Sequence, residues 1–450
     1  MKAIPFKAGM YLLETLTSGM YNDPLSIYRE YIQNSVDSID QSSLPTDEPH
    51  IKIDLDPFSK SVKIYDNGDG IRADSAEKTL SSIGSSGKLG TMQRGFRGIG
   101  RLGGIAFAKK VIFKTTTKGE SIVSTQEWDC EGLRKYLRSP EHASMTIEEL
   151  FSKVSVFSQN SVEELTNKSF FEVQLIDVES FRNYIFDIQR IKKYLVQVAP
   201  LPFNPDEFSF HDKIRNFLSE NVTQYGEYRI TVNDEQLFRP YKDELEITSK
   251  QRNDLLKSVE LFVLHVGDTP IAYGWYGNRR DLLGAIRKGI GVSGLRIKVG
   301  NLQIGDQHLL DRCFRENRFN SYTIGEIHVC DQSLLPNSRR DDFVDNKEKS
   351  VLYNLIERKI GLPLSKEIRR RSRIQPKVKT EATVEVAPND ADVEDSNKPH
   401  ASPKSTVSDN KAESSSSKTI TITFSSDTIE QLINKCSDCK TLQQILQEHI

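Results

Sequence analysis

The chain has 450 residues, 37% hydrophobic and 28% charged, with a formal net charge of −2. That length suits two or three domains, each burying its own core, and near-neutrality excludes a global bias towards nucleic acid while leaving local basic patches open. No apolar run approaches the ~20 residues that span a bilayer, MKAIPFKAG lacks a signal-peptide core, and five scattered cysteines make no disulfide framework, so a reducing cytoplasm and no membrane partner are expected.

In chain order, residues 8–20 read as a helix broken at Ser18-Gly19. Asp23-Pro24 then signals the start of a second helix, Leu25 to Asp40, whose Ile27, Tyr28, Tyr31, Ile32 and Val36 recur at helical spacing. Ile51 to Leu55 and Val62 to Tyr65 alternate like antiparallel strands around Pro57 and Ser59-Lys60. Ala73 to Leu80 reads as a short helix before the Gly- and Ser-rich stretch Gly84 to Gly98, whose composition suits a lid better than a packed element. Val111 to Thr116, Ile122 to Glu127 and Phe170 to Ile176 continue the sheet, with residues 131–166 as an insertion, and Val178 to Val196 reads as a helix leaving it.

Beyond Pro200, five strand-like runs (Tyr228 to Val232, Val259 to Val266, Ile271 to Tyr276, Leu295 to Val299, Ile324 to Val329) alternate with helical ones, giving a second α/β region with a mixed sheet. Gly300-Asn301 is a tight-turn candidate, and Lys347 to Arg371 a long helix ending in three arginines. Residues 373–418 have the composition of a disordered linker, and 419–450 recover enough apolar character for a small docking or dimerisation tail. Its Cys436-Ser-Asp-Cys439 pair has no second pair or flanking histidine to make a metal site.

Three stretches carry chemistry. Glu30, Asn34 and Asp37 fall on one helical face within a ~60° arc. A stripe of this kind is ordinarily a solvated face, but two further elements follow it: Asp66-Asn67-Gly68-Asp69-Gly70 after a strand, and Gly95-Phe96-Arg97-Gly98-Ile99-Gly100 before a segment of small residues. Together they form a nucleotide-and-metal constellation.

These boxes resemble those of the GHKL ATPases, the superfamily of DNA gyrase, the 90-kDa heat-shock chaperones, histidine kinases and MutL, with the chaperone branch the most similar. YNDPLSIYREYIQNSVDSID at Tyr21 to Asp40 resembles the branch's first nucleotide-contacting helix, and SIGSSGKLG at Ser82 to Gly90 the start of its lid. The resemblance implies an α+β fold: a two-layer Bergerat-type ATP-binding domain over residues 1–185 and a ribosomal-protein-like middle domain over 186–372. It implies ATP and Mg²⁺ as cofactors. Glu30 would be the general base and Asn34 a neutral Mg²⁺ ligand, with Asp37 further along that face. Asp66 would accept the adenine amino group beside Gly68 and Gly70. Gly95, Gly98 and Gly100 would offer N–H groups to phosphate, with Phe96 and Ile99 in the same loop and Lys88 and Arg97 as nearby cations. Pro336 to Phe343 resembles the loop whose basic residue, here Arg340, reaches the γ-phosphate. A Gly-Thr pair that often closes such a domain is missing; Asn167-Lys-Ser169 stands there instead.

A conformational clamp follows: an ATPase that dimerises transiently when ATP-bound and acts on a protein client. The alternative is a nucleic-acid clamp resembling MutL or Microrchidia ATPases, using Lys109-Lys110, Arg279-Arg280, Arg287-Lys288 and Arg369 to Arg371. A histidine kinase would need a phosphoacceptor helix ahead of Glu30, and a binder without turnover would not need Glu30.

Overall fold

The structure, a computed structural model, describes residues 23–42, 48–82, 100–223, 225–248, 253–282, 284–289 and 291–381. The helix expected over 8–20, the lid, the glycine loop as far as Ile99, the linker beyond 381 and the tail lie outside these residues. Among the described residues, no helix is long and apolar enough to cross a membrane.

Helix α1 (Ser26–Gln41) begins where the Asp23 carboxylate accepts the N–H of Leu25 at 3.0 Å. Its periodic apolar residues Ile27, Tyr28, Tyr31, Ile32 and Val36 are all buried. It packs with a shared core under an eight-stranded sheet ordered β5-β4-β3-β6-β2-β1-β7-β8. The strands are β1 (His50–Asp56), β2 (Ser61–Asp66), β3 (Ala108–Thr116), β4 (Ile122–Asp129), β5 (Ser155–Ser161), β6 (Phe170–Val178), β7 (Arg229–Val232) and β8 (Glu235–Gln236). Helices α2 (Ala73–Ser81), α3 (Cys130–Arg138), α4 (Ile147–Val154) and α5 (Ile188–Val198) complete this region. Strand alternation sends Ile51, Ile53, Val62, Ile64, Val111, Phe113, Val173 and Leu175 into the core, while Lys63 pairs with Asp54 and Lys110 with Glu127 on the solvent face. One covered face and one wet face make the expected two-layer sandwich.

Three details differ from the sequence reading. The strand expected over Tyr228 to Val232 in the second region joins the first sheet instead, parallel to β1 in the register Ile51 with Ile230 and Ile53 with Val232. Residues 155–161 of the presumed insertion form edge strand β5, whose polar, exposed SVFSQNS sequence carries no alternating signal. The stretch after β6 is a short turn, Arg182–Ile185, and then α5, rather than one helix from Val178.

The second sheet is six-stranded and mixed, ordered β13-β12-β14-β11-β10-β9. It comprises β9 (Glu244–Glu246), β10 (Asn253–Val266), β11 (Thr269–Arg279), β12 (Gly294–Val299), β13 (Leu302–Ile304) and β14 (Ile324–Val329), with α6 (His211–Asn221) ahead of it. Gly300 and Asn301, at φ 55° and 62°, make the two-residue turn between β12 and β13. One face of this sheet is apolar and packs on α7 (Lys347–Ile356) and α8 (Leu362–Glu381). These two were expected as a single helix ending at Arg371. A π-turn, Glu357–Gly361, separates them just before Pro363, which supplies no N–H to a regular ladder, and α8 runs on to Glu381, into the stretch expected as linker.

Candidate functional site

The acidic stripe of α1 is not a solvated surface: Glu30 and Asn34 are half-buried and Asp37 is buried. Glu30 meets a residue 310 positions away, its Oε1 accepting from Arg340 Nε at 3.1 Å, with both side chains only 13% exposed. Arg29 donates from Nη2 to the Arg339 carbonyl at 3.1 Å and stands 4.0 Å from the Glu30 carboxylate. Two successive residues of α1 thus grip two successive residues of the arginine loop.

The loop is built for this. Pro336 bridges to Phe343, the Asn337 N–H donates to the Asp342 carbonyl at 2.9 Å, and Arg340 itself sits at φ 56°, a left-handed conformation unfavourable for a long side chain. The Gly305 N–H, donating to the Arg340 carbonyl at 2.8 Å, helps to hold that conformation. Half-buried Tyr194 on α5 lies within electrostatic reach of Arg29, Glu30 and Arg340, and desolvation raises its hydroxyl pKa to about 12.

Asp66 ends β2 in the interior, 1% exposed. Burial pushes its carboxyl up to about 7, opposed by the Ser35 hydroxyl of α1 and the Gly68 N–H, which donates to Oδ1 at 3.1 Å. The turn after it is clamped between α1 and the sheet. The Asp69 N–H donates to the Ser38 carbonyl at 3.2 Å, and the Ile71 N–H to Thr115 Oγ1 at 2.9 Å. A side chain at Gly68 would strike Ser38, and one at Gly70 (φ +67°) the Thr116 carbonyl. Both glycines therefore let the turn close on the protein's own backbone.

Gly100 opens a 3-10 turn, Gly100–Ala106, through the segment of small residues. A Cβ on Gly100 would lie 2.5 Å from Glu30 Oε2, so the loop's last glycine gives the carboxylate its room. Further along, the Gly104 N–H donates to the Tyr31 hydroxyl at 3.0 Å. Glu30, Gly100 and Arg340 are thus brought together, and Asp66 with Gly68 is brought under the same helix. Lys88, Gly95, Phe96, Arg97, Gly98 and Ile99 lie outside the described residues. Sequence reasoning missed Ser35, Thr115, Arg29 and Tyr194. The first and third stand next to named residues and could have been flagged, whereas Thr115 and Tyr194 are reached only through tertiary contact.

The family described as histidine kinase-, DNA gyrase B- and HSP90-like ATPase matches residues 25–161. A chaperone protein HtpG of Bacillus velezensis is 30% identical over 159 residues, 31% of this chain and 25% of that protein. One from Halorhodospira halophila is 26% identical over 147 residues, 28% of this chain and 23% of that protein. The matched stretch thus spans about a quarter of each chaperone's length. Over residues 25–161 the chain matches the histidine kinase-, DNA gyrase B- and HSP90-like ATPase family, and the two chaperone relatives support the heat-shock-chaperone branch of it.

Proposed function

We propose that the chain is a Mg²⁺-dependent, ATP-binding and ATP-hydrolysing conformational clamp of the heat-shock-chaperone kind, acting on protein partners in the cytoplasm. One observation carries the reading: a carboxylate on α1 faces an arginine delivered from beyond the second sheet, with the family's Asp-x-Gly-x-Gly turn under the same helix. The site fits an adenine nucleotide chemically. Asp66 is a buried acceptor faced by hydroxyl and N–H donors but, among the described residues, by no cation, so an amino group on a flat base would supply the donor its interior position lacks. Asn34, half-buried on the face that holds Glu30, would hold Mg²⁺, which typically takes only one or two protein ligands and supplies charge neutralisation to the triphosphate when bound.

In this reading Glu30 orients and deprotonates the attacking water, and Arg340 meets charge developing on the γ-phosphate. Gly100 and the glycines before it give phosphate a backbone cradle, with Lys88 and Arg97 as neighbouring cations, while Asp37 supports the nucleoside end. ATP draws the two sheet regions together through the arginine loop and favours a transient homodimer; hydrolysis releases both.

The nucleic-acid reading has weaker support. Its basic sites are largely matched by acids: Lys109 by Asp177 and Glu179, Lys110 by Glu127, Arg279 by Asp254, Arg287 by Glu246, Arg369 by Glu316, and Arg370 and Arg371 by Glu367. The deciding experiment is ATP turnover and binding in Glu30→Ala. Turnover is expected to fall by at least about 100-fold with affinity nearly unchanged. Wild-type turnover in the variant would remove Glu30 as base, and a wild-type chain that does not bind ATP would end the reading.

A further inference from the structure

The arginine loop aims a long side chain from a left-handed backbone, and a strand behind it supplies the hold. The loop closes on itself through the Pro336–Phe343 bridge and through the Arg340 N–H, which donates to the Asn337 carbonyl at 3.2 Å. Its far end is tied to α7, where the Tyr353 hydroxyl (2.6 Å) and Lys349 Nζ (2.9 Å) both reach the Asp342 carboxylate. At Arg340 itself the tie is to the end of β13. The Gly305 N–H donates to the Arg340 carbonyl, and Gly305 stands at φ +66°, where a Cβ would lie 2.6 Å from the Leu309 side chain and 2.9 Å from the Asp341 carbonyl. Glycine therefore lets this turn come close enough to grip the loop.

Gly305 is held in turn. Its carbonyl accepts from Gln303 Nε2 at 3.0 Å. Gln303 sits on β13 directly opposite Lys298 and is 3% exposed, on the face of the sheet where Lys298 meets Glu326 at 3.3 Å. The other amide atom, Oε1, is buried with no hydrogen-bond partner among the described residues. Stability gains little from such a residue, because an apolar side chain of similar length would leave no buried acceptor unmet. What the amide supplies is one donor, aimed at the glycine that grips Arg340. A continuous chain of hydrogen bonds results, from Gln303 to Gly305, from Gly305 to the Arg340 backbone, and from Arg340 Nε to Glu30 Oε1 at 3.1 Å.

We infer that Gln303 is a positioning residue for the arginine loop: through Gly305 it fixes the backbone of Arg340 and so the direction of the guanidinium. It acts through Gly305 and Arg340 rather than on reacting atoms. A residue held in a strained left-handed conformation persists only where its surroundings over-determine it, and here the buried amide behind Gly305 is part of that determination. Its effect on turnover rests on the ATPase reading proposed above; its effect on the loop does not.

The test uses the full chain carrying Gln303→Met, and three measurements are expected to agree. Without nucleotide, amide exchange at Gly305 quickens at least about tenfold while thermal stability is unchanged or higher, a split that a residue serving stability alone would not give. ATP turnover at saturation falls about three- to tenfold, the worth of one hydrogen bond, with KM within about twofold of the wild type. When Gln303→Met is combined with Arg340→Ala, turnover is no lower than in Arg340→Ala alone, because the amide works through that arginine. If the first variant does not fold, Gln303→Leu replaces it in all three measurements. Unchanged exchange at Gly305 overturns the inference, as do unchanged turnover at saturation in a chain whose wild type hydrolyses ATP, and losses that add in the double variant. A wild-type chain without turnover ends the ATPase reading instead, and exchange at Gly305 then decides whether Gln303 holds the loop.

Discussion

Asp66 at the end of β2 and Glu326 in β14 are both fully buried carboxylates, one in each sheet, yet the protein treats them in opposite ways. Burial alone would push Glu326 up, but Arg239 and Lys298 override it and hold its pKa well below the ordinary range. Arg239 Nη1 donates to one oxygen at 2.6 Å, while Lys298 Nζ (3.3 Å) and the Tyr241 hydroxyl (3.2 Å) reach the other. Asp66 has donors but no cation, and rises to about 7. A buried carboxylate with its counter-ions built in is part of the scaffold. One left without them keeps an unmet electrostatic requirement, and it is this one that lies under α1 beside the site.

The comparison breaks most visibly at Glu326. Glu326→Ala leaves Arg239 and Lys298 buried without their acid, and a loss of roughly 3–5 kcal/mol of stability is expected in chemical denaturation. A loss below about 1 kcal/mol would mean that Glu227 or water takes over the pairing. Asp66→Asn should do the reverse: thermal stability unchanged or higher above pH 7, because an ionised group that folding disfavours is gone, and nucleotide affinity lower by about 10- to 100-fold. The pH dependence sharpens this further. Since the folded pKa of Asp66 lies above its unfolded value, its contribution to stability is full below about pH 4 and is lost as pH rises towards 7. Adenine binding to the ionised form runs the other way, so affinity for adenosine, which carries no phosphate to titrate, is expected to fall about tenfold per pH unit below 7. A flat profile, or the same slope in Asp66→Asn, would take the adenine contact away from Asp66.

The same contrast explains what was legible in the sequence. The apolar period of α1 and the paired strands before Asp66 are local patterns, and each element stands where its pattern put it. The charged face of the second sheet was hidden because Leu295-Arg296-Ile297-Lys298-Val299 alternates as a half-solvated strand does, whereas in the fold both faces are covered: Arg296 and Lys298 are 2% exposed, Glu326 and His328 1%. Alternation reports two different faces and says nothing of whether the polar one meets water. β7 was misassigned for a related reason. Its parallel pairing with β1 spans roughly 180 residues, and no local signal carries that partnership.

The smallest expected effect concerns the contact on which the proposed mechanism turns. Arg340 Nε donates to Glu30 at 3.1 Å, so the residue assigned to the γ-phosphate engages the residue assigned to the water. A double-mutant cycle on thermal unfolding with Glu30→Ala and Arg340→Ala is expected to give a coupling of about 0.5–1 kcal/mol, the range of a partly exposed ion pair. Saturating ATP should reduce that coupling, because the γ-phosphate competes for the guanidinium. Arg340→Ala alone should lower turnover with little loss of affinity, since its phosphate contact is assigned to the transition state. If affinity collapses instead, the loop is a ground-state binding element. A coupling that persists unchanged in saturating ATP would make the ion pair a fixed strut between α1 and the second region, and Arg340 could not then serve the phosphate.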